Sequence, residues 1–462
     1  MPQQLRKFDA IIIGAGQAGP SMAGRLTAAG KTVAIIERKF FGGTCVNTGC
    51  KPTKTMVASA YAAHMARRAT DYGFSTGGTV SVDMKAVKAR KDKVTLDSRT
   101  GTEDWLDGME GCTVYRGHAA FVSPHEVSVN GETIFAELIF INVGGRANVP
   151  AMPGLDQVSH LNNSSIMEVD FLPKHLVVVG GSYIGLEFAQ MYRRFGAKVT
   201  VVEKSSRLIS REDPDITDAI KAILEDEGIA FRLDAECISF SPHPDGVCVN
   251  VDCASGDRSV PGSHVLLAIG RRPNTDDLGL DKAGVVADAR GYITVDDELR
   301  TSQPHIFALG DCNGKGAFTH TAYNDFEIAA ANLLDGDSRR VSDRIPAYAL
   351  YIDPPLGRAG MTETEARKSG RKILVGTRPM TKVGRAVERG ETKGFMKIIA
   401  DAETKEFLGA ALLGASGDEV VHGLLDMMYA KAPYTVMQRM TPIHPTVSEL
   451  LPTIIAEMKS VE

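Results

Sequence analysis

Apolar positions along the chain gather in short β-branched runs, and the two clearest runs lead into glycine turns. Residues 8–37, FDAIIIGAGQAGPSMAGRLTAAGKTVAIIE, predict a strand, a glycine turn, a helix, a glycine stop and a second strand closed by an acid. Residues 174–203, KHLVVVGGSYIGLEFAQMYRRFGAKVTVVE, repeat that order. A shift of 166 positions lays Gly14 on Gly180, Gly19 on Gly185, Ala23 on Ala189, Gly30 on Gly196, Val33 on Val199 and Glu37 on Glu203. Between the copies, Pro52 ahead of the good helix formers MVASAYAAHMARRA predicts a helix with proline in its first position. The stretch VSVNGETIFAELIFINVGGRANVP reads as strand and turn. Near the end, Met427, Met428, Met437 and Met440 form an apolar cluster that suits a core or a dimer contact better than a metal site.

Each copy has the strand–turn–helix–strand pattern of a dinucleotide site. The first glycine (Gly14, Gly180) permits the tight turn. The second (Gly16) lets the backbone approach a pyrophosphate, and the third (Gly19, Gly185) lets helix and strand pack closely. The pyrophosphate then rests on the positive end of the helix. Ser182 stands at the middle position of the second copy, which leaves less room. Glu37 and Glu203 each follow the first glycine of their copy by 23 residues. A carboxylate there accepts hydrogen bonds from an adenosine ribose and repels a 2′-phosphate. Glu203 thus favours NADH, while the neighbouring Lys204 and Arg207 keep NADPH possible.

The length, 462 residues at about 150 per domain, suggests about three domains. A net charge of −5 gives no general field for holding nucleic acid or an anionic membrane. No stretch approaches the roughly 20 apolar residues that span a bilayer, and no signal-peptide cleavage pattern follows the first apolar run. A cytoplasmic protein with neither a nucleic-acid nor a membrane partner is expected. Seven cysteines, an odd number, fit free thiols in a reducing compartment rather than a disulfide scaffold.

Two of those cysteines stand apart, in Gly42-Gly43-Thr44-Cys45-Val46-Asn47-Thr48-Gly49-Cys50-Lys51-Pro52-Thr53-Lys54. The predicted helix puts Cys50 at its N-terminus, where partial positive charge lowers a thiol pKa, and Lys51 and Lys54 act in the same sense. Gly49 gives the chain freedom to bring Cys45 back to Cys50. A zinc site would need a second pair nearby, and none is present, so no metal site is expected. Two unpaired structural thiols are the alternative.

GGTCVNTGCKPTK, placed after a first glycine-rich turn, resembles the redox-active disulfide of the class I pyridine nucleotide–disulfide oxidoreductases, the family of dihydrolipoamide dehydrogenase, glutathione reductase and mercuric reductase. Thr301-Ser302-Gln303-Pro304-His305-Ile306-Phe307-Ala308-Leu309-Gly310-Asp311 resembles the family's second flavin motif. Ala268-Ile269-Gly270-Arg271-Arg272-Pro273-Asn274 resembles the crossover from the NAD domain back to the FAD domain. His444-Pro445-Thr446-Val447-Ser448-Glu449 resembles the interface motif. The resemblance spans essentially the whole chain. It implies an α/β fold with two Rossmann-like dinucleotide-binding domains and a C-terminal α/β dimerisation domain. FAD would lie in 1–150 and 273–343, NAD(P)H in 151–272, and the interface in 344–462, within a homodimer.

The same resemblance implies the residue roles. Gly14, Gly16, Gly19, Glu37, Gly43, Thr44, Lys54 and Asp311 would meet FAD, and Gly180, Ser182, Gly185, Glu203 and Gly270 would meet the nicotinamide dinucleotide. Cys50 would face the flavin, and Cys45 would attack substrate. Lys54 and Glu187 would form an ion pair near the reactive flavin nitrogen. His444, oriented by Glu449, would serve as acid–base to Cys45 of the other subunit. Tyr183 either covers the nicotinamide pocket or is a packed helix aromatic.

Some features depart from the pattern. Lys51 replaces a usually apolar residue; it either tunes the thiol or points to solvent. Cys112, Cys237, Cys248 and Cys253 read as structural or incidental, and Cys312 lies near the cofactor or simply packs. The run Asp353–Glu363 looks closest to mercuric-reductase-like members, yet no cysteine follows Cys312, so efficient mercury reduction is not expected. The expected substrate is a small disulfide, an oxidant or a metal ion. Dihydrolipoamide dehydrogenase of a multienzyme complex and a non-catalytic flavoprotein sensor are the rivals.

Overall fold

The structure is a computed structural model that describes residues 5–252 and 257–461; Cys253 lies outside them. Two compact units divide the chain. One comprises Met1–Thr55, Ala86–Asn148 and Gly270–Arg344; the other comprises Met56–Lys85, Val149–Ile269 and Ile345–Glu462.

The first unit is built on a parallel sheet in the order Cys112–Arg116, Val33–Glu37, Arg6–Ile13, Glu132–Ile141, Ile306–Ala308. Ile11, Ile12, Ile35 and Ile36 are buried, as expected for strands covered on both faces. The long strand Glu132–Ile141 serves two partners on one edge. Its first half pairs antiparallel with Glu126–Val129, which in turn pairs with Ala119–Ser123, and its second half pairs parallel with Ile306–Ala308.

The second unit repeats this plan. Its parallel sheet runs Ala230–Arg232, Lys198–Val202, His175–Val179, His264–Leu267, and the antiparallel meander Glu236–His243, Gly246–Asp252, Ser259–Gly262 lies in the chain between the first and last of these. The 166-residue shift holds down to strand register. Ala10 pairs with Val33 and Ile13 with Ile36, while Leu176 pairs with Val199 and Val179 with Val202. The duplication therefore covers more than the glycine turns.

The C-terminal part of the second unit is a six-stranded antiparallel sheet, in the order Ala347–Leu350, Leu356–Gly360, Phe407–Leu413, Phe395–Asp401, Ile373–Pro379, Lys459–Val461. The helix Gly417–Tyr429 packs on it. Met428 and Met437 are buried in this core, Met427 packs at its margin, and Met440 is exposed. No described helix is long and apolar enough to cross a membrane.

Candidate active site

The cysteine loop lies directly against the first glycine turn. Gly43 sits at φ 61°, and a Cβ on it would come within 2.8 Å of the Gly16 Cα, so two glycine backbones meet where any side chain would separate them. The Gly42 N–H donates to the Ala15 carbonyl at 2.8 Å, and Gln17 Nε2 donates to the Gly42 carbonyl at 2.9 Å. Cys45 and Thr44 ride on the short helix Gly43–Asn47. Buried Asn47 ties this loop together: its Nδ2 donates to the Phe41 and Gly43 carbonyls at 2.9 Å each, and its Oδ1 accepts from Arg99 Nε at 2.7 Å. The next helix, Cys50–Arg67, starts two residues earlier than Pro52 suggests. Proline is accommodated in its third position because first-turn N–H groups have no intrahelical acceptor.

Cys45 and Cys50 stand as free thiols, and they are unequal. The hydrogen bond from the Cys45 thiol brings Cys50 down to about 6, helped by the Thr319 hydroxyl and Lys54 against the effect of burial. That same bond holds the proton on Cys45, and burial raises Cys45 further. The pair is thus polarised, with thiolate character on Cys50. Lys51 is exposed; its Nζ donates to Ser98 Oγ at 2.7 Å, and its charge partly offsets the rise at Cys45. The remaining described cysteines are unlike this pair. The Cys312 sulfur donates to the Ile141 and Leu309 carbonyls, and burial pushes its thiol up to about 12; burial also pushes Cys112 up to about 11.

The glycine turns themselves are close fits. Gly14 (φ 105°) and Gly180 (φ 115°) would each bring a Cβ within 2.4 Å of a carbonyl oxygen on the neighbouring strand end, Asn142 and Ala268 respectively. Gly19 and Gly185 would bring a Cβ within 2.3 and 2.0 Å of the Gly14 and Gly180 carbonyls, so helix and turn touch backbone to backbone. The two acids act in parallel. Glu37 accepts the Ala15 N–H at 2.9 Å and the Lys39 N–H at 2.8 Å; Glu203 accepts the Gly181 N–H at 2.7 Å and the Ser205 N–H at 2.8 Å. A carboxylate has about four lone-pair sites, so each retains capacity for ribose hydroxyls. Ser182 has φ −106°, an ordinary value that serine adopts without strain.

Asp311 sits in the turn Gly310–Asn313, where burial raises its carboxyl despite Arg271, whose Nη2 lies 3.1 Å away. The turn is held from behind by Asp325, which accepts the Gly310 N–H and Asn313 Nδ2, each at 2.8 Å, and pairs with Arg344. Asn142 Nδ2 donates to the Gly14 carbonyl at 3.2 Å. Cradles that any Cβ would fill, a half-buried acid and N–H donors at the glycine turn together fit a flavin dinucleotide. Asn142 and Asp325 carry no sequence motif, and Asn47, although inside the cysteine motif, has no expected role there; none of the three is among the expected residues. Gly270, at φ 103°, has open space where a Cβ would point.

In the second unit, Tyr183 follows the glycine turn and is packed. Its ring meets Tyr348 edge-on at 5.4 Å, its hydroxyl donates to Glu212 Oε1 at 3.3 Å, and Arg211 stacks over it at 5.1 Å. Glu212 also accepts from Tyr348 at 2.7 Å and pairs with fully buried Arg358. Glu187 is buried and accepts the Tyr351 N–H at 3.0 Å. Lys54 is the fifth residue of the helix that starts at Cys50, in the first unit. His444 Nδ1 and Glu449 Oε2 are 2.8 Å apart. The glutamate side chain is 12% exposed and the imidazole 80%, so a sheltered acid orients a ring offered to the outside. Among the described residues no group of three or more His, Cys, Asp or Glu could hold a metal ion.

A family model described as pyridine nucleotide-disulphide oxidoreductase matches residues 8–325, and the dimerisation domain of that family matches 346–455. The chain is 36% identical to the probable pyridine nucleotide-disulfide oxidoreductase RclA of Escherichia coli (strain K12), covering 98% of this chain and 100% of that one. It is 32% identical to a dihydrolipoyl dehydrogenase of Thermus scotoductus, covering 96% of each. A solved Cu(II) complex of the HOCl-induced flavoprotein disulfide reductase RclA from Escherichia coli matches with a TM-score of 0.89 at 35% identity, covering 98% of this chain and 100% of that one. The chain belongs to the pyridine nucleotide-disulphide oxidoreductase family, as an FAD-dependent, NAD(P)H-linked enzyme with the family's dimerisation domain at its C-terminal end.

Proposed function

We propose that this enzyme uses NADH to reduce a Cys45–Cys50 disulfide and passes the electrons to a small disulfide, an oxidant or a metal ion such as Cu(II). The observation that carries the reading is the polarised cysteine pair laid against the first glycine turn. On this reading 1–150 and 273–343 hold FAD, 151–272 hold NADH through Gly180, Ser182, Gly185, Glu203 and Gly270, and 344–462 form the interface of a homodimer. Glu203 supports the NADH preference.

Bound FAD supplies hydride acceptance from the nicotinamide and transfer of the electron pair to the disulfide. Lys54 offers positive charge where negative charge develops. The S–S bond takes up two electrons and one proton, leaving a thiol on Cys45 and a thiolate on Cys50. His444 of the partner subunit takes the Cys45 proton, and the Cys45 sulfur attacks a substrate disulfide, forming a mixed disulfide. The displaced thiolate receives the proton from the partner's His444. Cys50 then attacks the Cys45 sulfur, which restores the disulfide and expels the second thiolate, protonated by water. Two Cu(II) ions would take the same two electrons singly, with loss of the Cys45 proton.

An anaerobic NADH titration followed by visible spectroscopy tests the reading. A long-wavelength thiolate–flavin absorption at two-electron reduction is expected. Flavin bleaching without it would overturn the proposal. NADH oxidation is then measured with lipoamide, glutathione disulfide, hypothiocyanite, Cu(II) and Hg(II). Likeness to the Thermus scotoductus enzyme keeps dihydrolipoamide dehydrogenase as the second reading, selected by rapid NAD+ reduction with dihydrolipoamide.

A further inference from the structure

Cys50 has a hydrogen-bond partner that belongs to no cysteine motif. Thr319, 269 residues away, places its Oγ1 3.1 Å from the Cys50 Sγ. Each is the first residue of a helix, Cys50–Arg67 and Thr319–Ala330. The Thr319 hydroxyl is not spent on closing its own helix, because Thr321 does that work: its Oγ1 accepts the Phe318 N–H at 3.1 Å and donates to the Phe318 carbonyl at 2.8 Å.

We infer that Thr319 is a catalytic residue: its hydroxyl donates to the Cys50 sulfur as the disulfide opens and so holds the thiolate of the opened pair on Cys50. The inference rests on the redox role proposed above for Cys45 and Cys50. A disulfide sulfur is a weak acceptor and a thiolate a strong one, so this bond is gained mainly on reduction. An interaction made in one redox state and not the other shifts the equilibrium between them. The largest charged and titratable influences on the pair are each other's thiols, Lys54 on Cys50, and Lys51 on Cys45. A lysine favours ionisation at each sulfur, so positive charge is not confined to Cys50. The hydroxyl also favours ionisation of Cys45, where burial and the bond to Cys50 outweigh it.

The test compares wild type, Thr319→Val and Thr319→Ser as FAD-loaded holoenzymes. The reduced proteins are alkylated with iodoacetamide across pH, with mass mapping of each cysteine, and the pair's midpoint potential is set against dithiothreitol buffers. Thr319→Val should move Cys50 ionisation up by about one pH unit. It should also make the disulfide about tenfold harder to reduce, about 30 mV lower for two electrons. Thr319→Ser should keep both properties near wild type. If Thr319→Val fails to retain FAD, Thr319→Ala is read in its place. A Val or Ala variant with the wild-type profile and midpoint overturns the role of Thr319 alone. A wild-type Cys50 that does not ionise below the ordinary thiol range overturns the pair's assignment, and this inference with it.

Discussion

Removal of the Asp325 carboxylate should release FAD without touching any residue that meets it. Asp325 is 1% exposed and accepts the Gly310 N–H, the Asn313 side chain and Arg344, which also donates to Asn324 Oδ1 at 2.9 Å. Asp325→Ala deletes two charge-assisted hydrogen bonds that fix the turn bearing Asp311 and strands the Arg344 guanidinium, itself 11% exposed. Breaking a buried pair from one side costs about 3–5 kcal/mol, chiefly for the uncompensated charge. That is a large part of the roughly 5–15 kcal/mol that holds a domain folded. Because a chain of this size does not unfold in one step, FAD release, read as recovery of its fluorescence in urea, is the suitable signal. Asp325→Ala should bring the release midpoint down sharply and weaken FAD binding by at least about tenfold, the effect of about 1.4 kcal/mol reaching the site. The double change Asp325→Asn with Arg344→Met should recover part of the loss, since no charge is then stranded. An Asp325→Ala enzyme that releases FAD at the wild-type midpoint would refute the reasoning.

Gly14→Ala, whose Cβ would lie 2.4 Å from the Asn142 carbonyl, should purify colourless, whereas Gly180→Ala should stay yellow but fail to be reduced by NADH; absorbance spectra before and after NADH decide both. The fall of the Cys50 pKa to about 6 means the thiolate of the reduced enzyme persists at neutral pH and is lost as pH drops through that value. Its contribution to the stability of the reduced form is fully present above the ordinary thiol range and is lost as pH falls from there through about 6; a visible-band titration with its midpoint above about 8 would contradict this. His444→Ala should lower disulfide turnover at least a hundredfold, the scale of general acid–base catalysis, while rapid-mixing reduction of the flavin by NADH stays near wild type; undiminished turnover would remove His444 from the proton path.

The parts of the site that were legible in the sequence are those held by local geometry. Gly14 and Gly180 recur because the turn demands positive φ and carbonyl proximity, and Glu37 and Glu203 recur because each binds a loop only two positions beyond itself and the turn that begins its copy. The cysteine pair announces itself by its helix, although proline tolerance throughout a first turn hid the true start at Cys50. Asn47, Asn142, Thr319 and Asp325 gave no such signal. Asn142 and Thr319 bond to partners 128 and 269 residues away, and Asn47 and Asp325 tie together turns whose shape the sequence does not show; polar residues of these types are common on any surface. Tyr183 shows the same limit from the other side: its motif position was visible, but its packing against Tyr348 and Glu212 depends on a strand more than 150 residues away.

On the proposed assignment of FAD to the first copy and NADH to the second, the duplication also accounts for one cradle that keeps its cofactor and one that releases it at each turnover. In both copies the segment after the acid bonds back to the same loop carbonyl: Gly42 N–H to Ala15 in the first, Ile209 N–H to Gly181 in the second, each donor with positive φ (85° and 44°). In the first copy that segment is the cysteine loop, and it continues across the turn so closely that Gly43 rests on Gly16. In the second it ends at Leu208 and Ile209, and the residue corresponding to Gly16 is Ser182, which is exposed. A β-branched residue in left-handed conformation is strained by about 1–3 kcal/mol, so Ile209 is held there by its burial and by this bond rather than by its own preference. The redox pair thus occupies the place where the second copy makes only a packing contact. The same βαβ scaffold carries a closed turn beside the cysteine pair in one unit and an open one in the other, which is the division of labour that the proposed electron flow from an exchangeable dinucleotide to a resident one requires.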